Sequence, residues 1–125
     1  MLYRIGSQGP ELITRIPHAG DYRRWISRLT TAEIRAIDSE FDRRIAAKKN
    51  PEVVTSSWLP GQDWTNTPFQ AIYENATRYD EIAAAKCFGL MLWEFFMEHP
   101  EAWSFGHYEL NEVPIEGLTY FRIDV

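Results

Sequence analysis

The chain has one cysteine, three histidines and no apolar run of membrane-spanning length, and these shortages remove several classes of function at once. Cys87 stands alone, so no internal disulfide can form, which fits a reducing compartment. With His18, His99 and His107 scattered along the chain, no cysteine–histidine metal cluster can be assembled, and no metal is expected. The longest apolar run, "IAAAKCFGLMLWEFFM" over 82–97, carries Lys86 and Glu94 and falls short of the roughly 20 residues a spanning helix needs. The N-terminus lacks a basic segment followed by an apolar one and a small-residue cleavage site, so the expected location is the cytoplasm. No nucleophile elbow, zinc-binding H-E-x-x-H, Walker or Rossmann fingerprint is present, and no cofactor is expected. Internal repeats and low-complexity segments are also missing.

What is present is apolar and aromatic material. Of 125 residues, 45% are apolar, with five Trp, six Tyr and seven Phe, enough for one packed core. A single domain over 1–125 is expected. Net charge is −5, unevenly spread: residues 1–50 hold ten Lys/Arg against six Asp/Glu, and residues 51–125 hold three against twelve. Such opposed halves fit a basic helical layer facing an acidic remainder, within one chain or in a homodimer. Set against a nucleic-acid footprint are a pI near 5.2 and the acidic residues Asp38, Glu40 and Asp42, which interrupt the second Arg-rich helix.

"LYRIG" and "ELITRIP", separated by the turn former "SQGP", read as a hairpin or an interrupted strand. Tyr22, Trp25, Ile26 and Leu29 recur at helical spacing behind Asp21, taken as an N-cap. Thr30 and Glu33 form the capping-box pattern ahead of Ile34, Ile37, Phe41 and Ile45, and Asn50-Pro51 ends that helix. Thr67-Pro68-Phe69-Gln70 repeats the capping logic before a third apolar face of Phe69, Ile72, Tyr73 and Ala76. Asp80 caps a helix over 80–99 that is apolar on nearly every side and is therefore the expected buried centre. The tail reads as two antiparallel strands. The predicted fold is α+β: a small antiparallel sheet from N- and C-terminal strands, packed against about four helices.

The stretch "TSSWLPGQDWTNTPFQ" over 55–70 draws attention because two tryptophans sit among turn formers. Pro60-Gly61 suits a type II turn, and Asp63 or Asn66 can close an Asx turn. Rings of this size are costly to leave in water, so the loop is expected to cover apolar surface of the central helix near Trp93, with Trp64 in a closed core and Trp58 at an accessible site. The leading functional expectation is a non-enzymatic binding protein. Its ligand or partner segment would be held by Trp58, Gln62, Asp63, Trp64, Asn66, Trp103 and Tyr108, as apolar walls with a few orienting polar groups.

The alternative is a small hydrolase or isomerase. Glu94 lies inside the most apolar segment, where burial would raise its pKa, although a solvent-facing edge position is the plainer reading. His107 and Glu109 would share a face if their segment were a strand, and could then transfer protons. His99 at a helix end has a simpler role in complementing the helix dipole. Nucleic-acid binding through Arg23, Arg24, Arg28, Arg35, Arg43 and Arg44 ranks third, since the overall field is negative.

Overall fold

A computed structural model describes residues 1–125. Its elements in chain order are β1 (Tyr3–Gly6), β2 (Gly9–Leu12), α1 (Ala19–Ile26), α2 (Thr31–Ala46), β3 (Val53–Thr55), a π-helical turn (Ile72–Ala76), α3 (Glu81–Glu98), β4 (Trp103–Gly106), β5 (Glu109–Leu110), β6 (Val113–Pro114) and β7 (Thr119–Arg122). The fold is α+β. Helix α3 buries Ala84, Cys87, Phe88, Met91, Leu92, Trp93 and Phe96, so apolar residues all round its surface meet protein on most sides. No helix is long and apolar enough to cross a membrane.

The main sheet has the order β3-β7-β4, both pairs antiparallel, with β7 in the centre. Tyr120 pairs with Val54 on one side and Phe105 on the other, and its ring stacks on Phe96 of α3 at 4.4 Å. This aromatic contact locks the sheet onto the central helix; burial of a ring such as Phe96 contributes roughly 1.5–3 kcal/mol. Thr55 and Thr119 share a buried hydroxyl–hydroxyl hydrogen bond at 3.1 Å across β3 and β7.

The expected partnership of N- and C-terminal segments takes the form of a docked hairpin. β1 and β2 pair only with each other, closed by a turn in which Gly9 takes φ +104. The hairpin joins the main sheet through a parallel bridge from Leu2 to Trp103, a Trp103 N–H bond to the Met1 carbonyl (2.8 Å) and a Ser104 hydroxyl bond to the Tyr3 carbonyl (2.8 Å). The third strand of the main sheet, β3, comes instead from the middle of the chain; at three residues it has too little alternation to announce itself.

The caps of α2 and α3 are those the sequence predicts. Thr30 and Glu33 form a reciprocal capping box, and the Asp80 carboxylate accepts from the Ala83 N–H. Helix α1 differs: it starts at Ala19, behind His18 in the left-handed region, so Asp21 lies in the first turn rather than at the cap. It also ends at Ile26, although Leu29 remains in the core.

Much of the basic charge on the N-terminal helices has structural work. The Arg44 guanidinium reaches the Glu40 carboxylate (3.0 Å) and the carbonyls of Leu59 (3.1 Å) and Pro60 (2.9 Å), and lies 4.9 Å from the Phe69 ring centre. Arg43 forks onto Glu40 through two contacts of 2.6 Å, and Arg28 donates to the Ala76 carbonyl at 2.9 Å. Arg28 and Arg44 thus clamp α1–α2 to the loops that follow through backbone carbonyls, and every ion pair lies within one half of the chain rather than between the basic and acidic halves.

Candidate functional site

The predicted third helix does not form as an α-helix. Residues 67–72 are wound by i→i+3 bonds, Gln70 N–H to Thr67 O and Ile72 N–H to Phe69 O, and the chain then widens into the π turn closed by Thr77 N–H to Ile72 O at 3.0 Å. The buried Thr77 hydroxyl lies 3.1 Å from the Ile72 carbonyl and 3.3 Å from that of Tyr73, a second donor beside the backbone N–H bonds these oxygens accept from Thr77 and Tyr79. Arg78 and Tyr79 follow with φ of 53 and 68, two successive non-glycine residues in the left-handed region. The apolar face still docks as its spacing predicts, with Phe69, Ile72 and Ala76 buried.

The start of this segment uses the predicted residues with a displaced partner. Thr67 Oγ1 accepts from the Phe69 N–H (3.2 Å) and donates to the Trp64 carbonyl (2.7 Å). Gln70 turns back not to Thr67 but to the Asn66 N–H (2.9 Å), where Asn66 takes φ 60. Upstream, Gly61 takes the positive φ of 70 expected for the turn, and Asp63 closes an Asx turn onto the Thr65 N–H at 2.9 Å. That hydrogen bond holds the Asp63 carboxyl below its ordinary range.

These local structures shape a cavity of about 520 Å³ between the loop, the π turn and the start of α3. Gln62, Asp63, Trp64 and Thr65 form one side; Gln70, Tyr73 and Glu74 form another; Glu81, Ala84 and Ala85 complete it. Trp64 has two roles. It packs against Phe88 at 5.6 Å and Phe69 at 6.1 Å, within the aromatic group around Phe41, and it also borders the cavity. No Lys, Arg or His borders this space, and Asp63, Glu74 and Glu81 take part in no ion pair. Glu74 accepts from the Gln70 side-chain amide at 2.6 Å.

The other residues expected to grip a ligand are dispersed. Trp58 projects outward, 56% exposed, and the Trp93 ring packs on Phe105 at 4.7 Å while its N–H donates to the Arg15 carbonyl. Asn66 serves the backbone of the turn. Trp103 is a core residue, 2% exposed, with its ring 4.5 Å from Phe96. Tyr108 lies beyond β4, half exposed, with its ring 6.2 Å from Phe121. Sequence reasoning singled out Gln62, Asp63 and Trp64 but not Tyr73, Glu74 or Glu81. The i, i+4 pair Gln70–Glu74 was the available signal for that wall.

Glu94 borders a separate cavity of about 690 Å³ with Tyr22, Arg15 and Arg23. Burial pushes its carboxyl above the ordinary range, hydrogen bonding from Tyr22 opposes this, and neighbouring Glu98 adds to the rise. His107 does not share that cavity. Strand β4 ends at Gly106, so His107 and Tyr108 lie in the connection to β5 and the strand alternation that would pair His107 with Glu109 is lost. His99 is the C-cap of α3, but burial lowers its pKa and its Nδ1 accepts from the Glu101 N–H at 3.0 Å. It is therefore a neutral acceptor at neutral pH, not a cation on the helix dipole. Cys87 is buried, its thiol pushed up to about 12. No group of three His, Cys, Asp or Glu side chains is gathered to ligate one metal ion.

No protein-family model, curated protein or solved structure matches this chain.

Proposed function

We propose that the protein is a non-enzymatic binding or interaction protein that holds a small ligand or partner segment at the cavity framed by the 55–66 loop, the π turn and α3. The observation that carries this reading is the arrangement of Trp64 and Tyr73 beside Asp63, Glu74 and Glu81, in a space bordered by no cationic side chain. Apolar walls with a few polar groups are the usual make-up of a binding cavity. Aromatic faces beside carboxylates suit an occupant bearing positive charge, such as an amine or a Lys/Arg-containing segment. The rare π turn and the two left-handed residues after it support the same location, because such backbone is retained where a site needs it.

The test is an NMR titration with a short Lys/Arg-containing peptide and, separately, a Glu-containing peptide of equal length. Saturable shifts at the Trp64 indole N–H and the Tyr73 and Glu74 amides with the basic peptide only, lost in Glu74→Gln, are expected. Equal response to both peptides, or to neither, overturns the reading.

A second reading, acid–base chemistry as a hydrolase or isomerase, has one observation in its favour: the raised carboxyl of Glu94 borders a cavity beside Tyr22 and two arginines. An ester or glycoside hydrolysis that disappears in folded Glu94→Gln would place it first. Nucleic acid ranks third, and fluorescence anisotropy with duplex DNA at physiological salt is expected to show weak binding or none. Light scattering reads whether two copies pair through their opposed charges.

A further inference from the structure

We propose that the cavity between α1, α3 and β7 is a binding site for a small amphipathic anion, with an aromatic or aliphatic body and a carboxylate head. The space is about 350 Å³, within the roughly 300–1,000 Å³ typical of small-ligand sites. Trp25, Leu90, Trp93, Leu118 and Tyr120 form its walls, which are mainly apolar.

Two donors on largely buried side chains that border this space have no partner within the chain. Tyr120 is 1% exposed and Trp25 is 8% exposed, and the side-chain hydrogen bonds around them, Trp93 to Arg15 and Thr55 to Thr119, include neither the phenolic hydroxyl nor the indole N–H. Trp93 differs, since its N–H is taken by Arg15. Among fully sealed side-chain polar atoms, only Trp103 Nε1 lacks a partner. The Tyr120 hydroxyl and Trp25 N–H are therefore open to solvent rather than sealed, and both side chains border this cavity. Donors that the chain leaves to water beside a mainly apolar surface can be taken over by an occupant that brings acceptors.

The charge at the mouth has the matching sign. Lys86 borders the cavity and takes part in no ion pair, whereas the one carboxylate there, Asp21, is bound by the Arg24 guanidinium at 2.8 Å. Gly89 supplies the room. It sits inside α3, where glycine weakens a helix relative to alanine, yet a Cβ built on it meets no atom within 4 Å. Packing does not require a glycine at this position; an open cavity does benefit from one.

The test uses naphthalene-2-acetate, with the neutral naphthalene-2-ethanol and the cationic 2-naphthylmethylamine as comparisons. In a two-dimensional NMR titration the carboxylate should shift the Trp25 indole N–H saturably and bind about tenfold tighter than either comparison compound, as a charge-assisted hydrogen bond implies. Lys86→Gln, on the surface, should remove most of that preference. Tyr120→Phe should weaken binding, and Gly89→Leu, which fills the space, should abolish it. Gly89→Ala is the fold control and should give an unaltered amide spectrum away from α3. Absence of a saturable Trp25 shift overturns the proposal, as does equal affinity for the three probes or undiminished binding in folded Gly89→Leu.

Discussion

The Arg44 guanidinium donates to the Pro60 carbonyl at 2.9 Å, tying α2 to the apex of the 55–66 loop. The same group contacts the Leu59 carbonyl and Glu40, so a single side chain fixes a turn sixteen residues away. The loop that carries Trp64 is therefore positioned by the basic half of the chain, and its geometry depends on a contact outside the cavity.

Arg44→Ala is expected to destabilise the fold by about 2 kcal/mol, the scale of hydrogen bonds to a charged group, with Glu40 keeping Arg43 as a partner. Arg44→Lys should recover less than half of that, because an ammonium cannot fork across carbonyl and carboxylate together. Urea unfolding measures both. Equal stability of Arg44→Ala and the parent would remove the clamp from the account.

Thr67→Ala is expected to cost about 1 kcal/mol, since its hydroxyl accepts from the Phe69 N–H and donates to the Trp64 carbonyl. Hydrogen exchange at Phe69 should quicken with the loss. Unchanged protection there would show that the backbone turns hold the segment unaided.

Trp64→Ala is expected to cost about 2–3 kcal/mol, because the ring packs on Phe69 and Phe88 but keeps one side on the cavity. Trp58→Ala, at an exposed ring, should stay within about 0.5 kcal/mol. Thermal melts of the two variants compare them directly. A large loss for Trp58→Ala with none for Trp64→Ala would reverse the assignment of core and surface.

Asp38 gives a pH dependence of defined sign. Burial, then Glu98, Glu94 and Asp42, push its carboxyl from 3.8 up to about 6 in the folded protein. Between those values the folded state binds a proton that the unfolded state does not, so this group's contribution to stability falls as pH rises. Asp38→Asn should therefore stabilise the protein at pH 7 by roughly 1 kcal/mol after solvent screening and have little effect at pH 3.5. Glu40 has the opposite sign: its arginine partners hold it down to about 2, so its contribution is present above its ordinary value and fades as pH falls toward 2. Chemical denaturation of Asp38→Asn at both pH values is the check. A larger gain at pH 3.5 than at pH 7 would contradict the sign.

By itself the sequence determined what rests on neighbours a few residues apart. Thr30 with Glu33 and Asp80 with Ala83 cap their helices because a side chain and an N–H three positions on are brought together by the first turn itself. The apolar periodicity of Ile37, Phe41 and Ile45, and the near-uniform apolarity of α3, likewise determined which surfaces would be buried. Tertiary structure decided whatever depends on pairs far apart in the chain. It drew β3 beside β7, widened 72–76 into a π turn, sent Trp58 outward while Trp64 packed on Phe88, and placed Lys86, Trp25 and Tyr120 around one space. Periodicity records which face of an element is apolar, but not which other element will cover it; that choice is made by the packing of the whole chain.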